Sequence, residues 1–357
     1  MSRLSEFDVL KMKDVRCKIE SELKKRSIDE AYSFNPIPNL LCQYRSLKEF
    51  VIDYIENDEI SFTPIDNLND MFDSSIYHLQ DHQTIGQRVD DLFYKPLARY
   101  GFDFYQIHSR DELIEGYRER DIREAKIAST AVAYLGTCVS CFSRKYNSPL
   151  MWSHYANSSK GICIGYDFNL LKNKSEFYHS LFPVSYVEKP INQYEIYPDG
   201  LYQITDPYDY RVEIGTTIAT LQKPYYWDYE DEWRFIYTTL RNDLYGKHIP
   251  KRIDIKPSSI YFGYHFLKNF FVGKETSQEN CEERFNLLFR LLNICENNSI
   301  SMYVMDTDVG SYDLVKKEIT PSAFKTFFLS NFPNKKSQCH SHGLYHILRE
   351  EFKKCFK

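Results

Sequence analysis

The sequence predicts an α+β fold, with helices first and strands gathered later. Three observations predict it. Apolar residues recur at helical spacing over 40–60, 84–100 and 111–135. Runs rich in β-branched and aromatic residues follow from Thr137 onward. The two kinds do not alternate one for one, as a doubly wound parallel sheet requires.

Residues 1–37 read as a charged, helical N-terminal appendage, with Leu10, Met12, Val15 and Ile19 at irregular helical spacing. Ser33-Phe34-Asn35-Pro36-Ile37-Pro38-Asn39 ends it, because proline lacks the amide donor and blocks the turn. The main α+β domain is expected over 38–320. It opens with a helix ending near Asn57-Asp58, then a short strand at 60–62 and a turn at 66–70. A strand is expected at 137–143. Pro149 then opens a short helix over 150–157, as proline does in a first turn. Further strands are expected at 161–168, 183–187, 232–239 and 259–262, with a helix over 211–221. A longer helix over 279–297 carries Phe285, Leu288, Phe289 and Leu292 on one face. Closing strands follow at 300–305 and 312–319. Residues 321–357 read as a polar, basic and partly helical tail.

A chain of 357 residues buries enough apolar surface to need no disulfide or structural metal. Its 45 Lys and Arg stand against 50 Asp and Glu, a net charge of −5, which argues against a surface that coats nucleic acid. The nine cysteines are odd in number and scattered, the pattern of reduced cytoplasmic thiols. Charges occupy the N-terminus where a signal peptide needs an apolar run, and no stretch reaches the roughly 18 apolar residues of a membrane span. A cytoplasmic protein without a membrane partner is expected.

Two segments carry the chemistry. In a strand, Glu230, Glu232 and Arg234 share one face, and Trp233, Phe235 and Tyr237 the other. Neighbouring carboxylates raise each other's pKa or recruit a cation, and an apolar reverse face would hold them rigidly. The competing reading is a solvated edge with a surface Glu232–Arg234 pair. On the short helix, Trp152 and Tyr155 are three apart and share a surface. They either sandwich a planar ring or pack the helix onto the sheet, with His154 beside them. Cys138 and Cys141 face oppositely in a strand and have no second pair at zinc spacing. Cys339, His340, His342 and His346 are denser but have no matching pair elsewhere, and His78 and His82 lack the glutamate of a metalloprotease helix. Asp66, Asn69, Asp70 and Asp73 suit either turn capping or a hard cation. Phosphate-loop, dinucleotide-fold and hydrolase-elbow glycine motifs are absent from the sequence.

These motifs, in this order, resemble the bacterial family of unknown function DUF 2971. The resemblance rests on Asn69-Asp70-Met71-Phe72-Asp73, Cys141-Phe142-Ser143 and Leu150 through Ala156. It continues with Lys160 through Tyr166, Val184-Ser185-Tyr186, Trp227 through Arg234 and Ile260-Tyr261-Phe262-Gly263. It covers roughly 40–320. Met71 stands where the family often has proline.

The order is also similar to that of ADP-ribosyltransferases, which cleave the nicotinamide bond of NAD. That similarity implies a split β-sheet core with helices on its N-terminal side and flanks. It implies Arg45, beside Tyr44, as the clamp on the pyrophosphate, and Ser143 as the residue orienting the ribose or Glu232. Glu232 would face the ribose and stabilise its oxocarbenium-like charge, and Glu230 would activate an acceptor. Tyr155 or Trp152, with His154 alongside, would hold the ring. NAD is then a substrate and no metal is expected. The acceptor is a macromolecule or water, and a toxin or anti-phage role with a cognate partner or antitoxin is implied. Two other functions remain open on the sequence: a non-enzymatic nucleotide- or protein-binding module, and a metal-dependent nuclease or phosphohydrolase using Asp66, Asp70, Asp73 and Glu230.

Overall fold

The computed structural model describes residues 37–70, 72–73, 76–77, 82–90, 94–99, 109–120, 137–171, 181–189, 191–192, 217–238, 249–253, 256–272, 278–308, 310–332, 338–339 and 342–356. The expected N-terminal appendage and much of the expected helix over 111–135 lie outside them. The fold is α+β, with a ten-stranded mixed sheet and helices around it. Its strands are β1 (Leu40–Arg45), β2 (Glu59–Pro64), β3 (Thr137–Ser143), β4 (Ile162–Asp167) and β5 (Leu181–Pro183). They continue with β6 (Glu232–Thr238), β7 (Ile249–Arg252), β8 (Pro257–Phe262), β9 (Ser301–Thr307) and β10 (Leu314–Glu318). Their order is β7-β2-β3-β1-β4-β8-β9-β10, with β6 and then β5 on the other edge of β3. Among the described residues, only β8 and β9 pair in parallel within this sheet. A parallel pair needs a crossover, and helix α3 (Gln278–Asn297) supplies it.

The opening helix expected from residue 40 is instead strand β1 followed by helix α1 (Glu49–Glu56). Leu41, Cys42, Gln43 and Tyr44 are all buried, so β1 is covered on both faces. Such a strand loses its polar–apolar alternation, and a short run of this kind cannot be told from a helix by period. Helix α1 buries Val51, Ile52 and Ile55, and ends at Asn57.

One ladder branches. Along one edge, β3 pairs in full with β6, from Thr137 opposite Thr238 to Ser143 opposite Glu232. On the other edge β2 takes only Cys138 and Val139, and β1 takes only Ser143. Between those contacts the side chain of Gln43 bridges the gap, its Nε2 donating to Ser140 Oγ at 2.9 Å and to the Cys141 carbonyl at 3.3 Å.

Helix α2 (Pro149–Tyr155) is capped by Ser148, whose Oγ accepts from the Met151 amide at 3.4 Å. After it, Asn157, Ser158 and Ser159 all have left-handed backbones, with φ of 50°, 54° and 63°. Each costs roughly 1–2 kcal/mol for a residue with a Cβ, asparagine least. Two glycines make the close packing around this turn feasible. A Cβ on Gly161 would lie 2.2 Å from the Arg45 carbonyl oxygen, and one on Gly263 would lie 2.2 Å from that of Ser159.

The segment expected as a polar tail carries an apolar face. Helix α4 (Pro321–Asn331) is capped by Thr320, and helix α5 (His342–Lys353) follows. Phe324, Phe327, Phe328, Phe332, Leu348 and Phe352 bury in the same core as Leu41, Ile164 and Phe262. Spacings of three and four residues aim these rings at one side, a pattern that net polarity hides.

Candidate functional site

The branch in the sheet opens a cleft of about 160 Å3. Its lining includes Tyr44 and Arg45 from β1, Cys141 and Ser143 from β3, Tyr155 from α2, and Glu232 and Arg234 from β6. Asn69, Asp73, Lys223 and Glu230 complete its polar wall. Arg45, Ser143, Tyr155, Glu230 and Glu232 therefore line one space, although residues 45 and 232 are far apart in sequence.

Strand β6 begins at Glu232, two residues later than strand alternation through Glu230 requires. Tyr225–Glu230 is a 3-10 segment, and Asp231 joins it to β6 in a left-handed conformation at φ 48°. Aspartate tolerates that conformation better than most residues. The turn still brings both glutamates to Lys223. Behind them, Trp233 and Phe235 bury in the main core, as alternation predicts.

The polar wall is one connected network. Arg234, fully buried, donates from Nε to Glu232 at 2.8 Å and from Nη2 to Glu232 at 3.0 Å. It also grips both Asp73 oxygens, at 2.7 and 2.6 Å, and the Thr220 carbonyl at 2.6 Å. Lys223 Nζ donates to Glu230 at 2.5 Å and Glu232 at 3.2 Å, and stands 3.8 Å from Asp73. Tyr155 Oη donates to the other Glu230 oxygen at 2.5 Å and accepts from Asn69 at 3.4 Å. The Glu232 amide donates to Tyr186 Oη at 2.8 Å. The Glu232–Arg234 pair is thus a buried one, and the alternative of a solvated strand edge is set aside.

Burial and charge act in opposition here. Burial disfavours the Glu232 carboxylate, but Arg234 and Lys223 outweigh it and hold the pKa at about 2. For Glu230 burial wins, and its pKa is raised despite Lys223. Burial also opposes charge on Lys223, yet Glu232, Glu230 and Asp73 together keep it protonated. Arg45 differs. Burial lowers its pKa, and among the described residues no carboxylate pairs with it. A half-buried guanidinium in that position attracts an anion.

The other expected site residues fall differently. Trp152 is fully buried, with its Nε1 donating to the Tyr146 carbonyl at 2.8 Å and its ring edge-on to Tyr44 at 5.1 Å. It packs α2 onto β1 and lies outside the cleft lining. Tyr44 donates to the Lys145 carbonyl at 2.7 Å and forms cleft wall. Ser143 Oγ donates to the Glu230 carbonyl at 2.6 Å and accepts from the Lys145 amide, so it fixes the backbone before β6 and does not orient the Glu232 side chain. His154 is exposed, 6.2 Å from the Tyr229 ring and outside the cleft lining.

Lys223 is the residue that sequence reasoning missed. Lys223 sits in the three-residue strand Gln222–Pro224, too short to show a period. Asp73, a candidate turn residue or cation ligand beside Glu230 on the sequence, accepts from Arg234 through both oxygens. The carboxylates Asp73, Glu230 and Glu232 take their countercharge from Lys223 and Arg234. Asp70 accepts from the Phe72 amide, as a turn residue does, and the Asp66 side chain lies outside the described residues. Among the described residues no three His, Cys, Asp or Glu side chains gather as a metal site. His78, His340 and the side chains of His82, Cys339 and His342 lie outside them. No helix among the described residues is long and apolar enough to cross a membrane.

No curated protein and no solved structure matches the chain. Residues 151–235, which hold most of α2, all of β4, Lys223 and the Glu230–Arg234 segment, match the family described as "Protein of unknown function (DUF2971)".

Proposed function

We propose that the chain is an ADP-ribosyltransferase-like enzyme that cleaves the nicotinamide bond of NAD and passes ADP-ribose to a macromolecule or to water. One observation carries this reading: Arg45, Ser143, Tyr155, Glu230 and Glu232 line a single cleft. A volume of about 160 Å3 suits one aromatic ring with part of its ribose, since a cavity near that size holds benzene. The adenosine end would lie outside it. Arg45 would meet the pyrophosphate, and Tyr155 would border the ring.

The carboxylate roles are revised. Glu232 already accepts three bonds, from Arg234 twice and from Lys223. Glu230 accepts two, so more of its roughly four acceptor positions stay open. In this proposal Glu230 faces the ribose and stabilises the positive charge that develops as nicotinamide leaves. Glu232 holds Lys223 and Arg234 in place.

The test is nicotinamide release and transfer of label from NAD, with purified protein alone and with cell lysate. Glu230→Gln is expected to abolish turnover while NAD still binds, with its affinity reduced to that of ADP-ribose. Absence of both NAD binding and nicotinamide release, with and without lysate, would sink the proposal.

A second reading is a non-enzymatic nucleotide-binding module. The engagement of Glu232 on both oxygens favours it. It predicts saturable NAD or ADP-ribose binding, weakened by Arg45→Gln, with no nicotinamide released.

A further inference from the structure

A second cationic cluster lies at the end of the sheet where Arg45 stands. Arg45 of β1 is in register with Ile162 of β4, which is in register with Phe262 of β8. Lys160 precedes β4, and His265 and Lys268 follow β8, so they sit about two strand spacings, roughly 10 Å, from Arg45. The strained turn at Asn157–Ser159 fixes Lys160 there. The His265 amide donates to the Ser159 carbonyl at 2.9 Å, and Asn269 Nδ2 donates to the Lys160 carbonyl at 2.7 Å. Arg349 of α5 lies 3.5 Å over the Tyr264 ring and bonds the Tyr264 carbonyl.

Negative charge is scarce at this place. Arg349 pairs with Asp306 at 3.0 Å, and Lys353 stands 3.7 Å from the same carboxylate. Among the described residues, Lys160 and Lys268 have no carboxylate partner, and Lys268 lies over the Tyr345 ring at 5.4 Å. Both lysines are half-exposed. His265 Nδ1 is buried without a hydrogen-bond partner. Burial, then Lys268, Arg349 and Lys160, push the His265 pKa down to about 4. Burial, then Lys160 and Arg349, also lower that of Lys268. Cations that destabilise one another are stabilised by a shared anion.

We propose that Lys160, His265, Lys268 and Arg349 form a phosphate-binding site distinct from the cleft. Arg349 is held rigid by Asp306 and Tyr264, and the two lysines meet the anion beside the imidazole. The phosphate is either free inorganic phosphate or a phosphate of a nucleotide that also reaches Arg45. The proposal stands without the NAD reading, because its ligand need not enter the cleft.

The test is NMR of the full chain with 13C-labelled histidine, the His265 signal being assigned with His265→Gln. Inorganic phosphate and ADP-ribose are titrated separately at pH 7. The expected result is a saturable shift of the His265 signal and a rise of its pKa from about 4. Lys160→Gln and Lys268→Gln should each weaken binding roughly five- to tenfold. Both lysines are half-exposed, so these variants are expected to fold, and circular dichroism checks it. Tighter binding of ADP-ribose, itself weakened by Arg45→Gln, would identify the nucleotide source. Equal or weaker binding of ADP-ribose would identify free phosphate. No saturable shift with either probe up to tens of millimolar, or shifts indifferent to both lysine variants, would overturn the site.

Discussion

Replacing Arg234 by methionine isolates the energetic role of the buried network. The guanidinium is wholly buried and makes five hydrogen bonds, to Asp73, Glu232 and the Thr220 carbonyl. Methionine fills much of the volume but none of the charge. Asp73 would lose both guanidinium bonds and face Lys223 at 3.8 Å, and Glu232 would face Lys223 at 3.2 Å. Removing one partner of a buried ion pair costs about 3–5 kcal/mol, because the remaining carboxylate is stranded away from water. A domain is stable by only about 5–15 kcal/mol, so the loss is large. Urea unfolding followed by circular dichroism measures it. The combined variant Arg234→Met, Glu232→Gln, Asp73→Asn removes the stranded charges and is expected to recover at least half of the lost stability. A loss under about 1 kcal/mol in Arg234→Met would refute the reasoning, since the carboxylates would then be solvated or protonated at little cost.

Three further outcomes follow from the same geometry. Glu232, held at about 2 against an ordinary 4.5, contributes about 3 kcal/mol that is present above pH 4.5 and lost as pH falls towards 2. Glu230, raised by burial, works with the opposite sign, so the comparison is urea stability from pH 7 to 3 in wild type and Glu232→Gln. An acid limb equally steep in both would contradict the assignment. Trp152→Ala should cost about 3–5 kcal/mol through the cavity it leaves. Trp152→Phe should keep ligand affinity, and a selective loss of binding measured by calorimetry would put the ring in the cleft after all. Gly161→Ala places a Cβ against the Arg45 carbonyl, which is backbone and cannot rotate away. The expected loss is about 1–3 kcal/mol or more, with faster hydrogen exchange at the β1–β4 pairing; unchanged exchange would show that the backbones have room.

The strands around the site were legible because they alternate or carry β-branched runs. The expected strand at 137–143 coincides with β3, and Trp233 and Phe235 turn inward as their period dictates. Strand β1 was not legible, because burial on both faces removes the alternation. The turn at Asp231 was hidden for another reason: a left-handed aspartate leaves no mark in a hydrophobic pattern, and only the tertiary placement of Glu230 reveals it. Lys223 gave no signal at all. Its partners stand seven and nine residues later, and the 3-10 segment between them, not a strand or helix period, brings them back. Trp152 shows the converse. Its spacing to Tyr155 predicts a shared surface, but the larger ring faces the core and the phenol faces the cleft.

The charge arrangement constrains what the cleft accepts. Asp73, Glu230 and Glu232 are held by Lys223 and Arg234, while Arg45 stands at the cleft wall without a carboxylate among the described residues. The pKa of Glu230 is raised, burial outweighing Lys223, whereas Arg234 and Lys223 lower that of Glu232. A ligand that stabilises both ends must bring negative charge to Arg45 and positive charge to Glu230. NAD has that polarity, with an anionic pyrophosphate on one side of the ribose and a cationic nicotinamide on the other. A cation beside Glu230 would lower its pKa and favour the carboxylate. The same carboxylate would then meet the positive charge on the ribose as the ring departs as neutral nicotinamide. A nucleotide without a cationic ring satisfies Arg45 but leaves Glu230 as it is in the empty cleft. Stronger binding of NAD than of ADP-ribose, with the excess lost in Glu230→Gln, is therefore the signature that separates an NAD-cleaving site from a module that recognises phosphates alone.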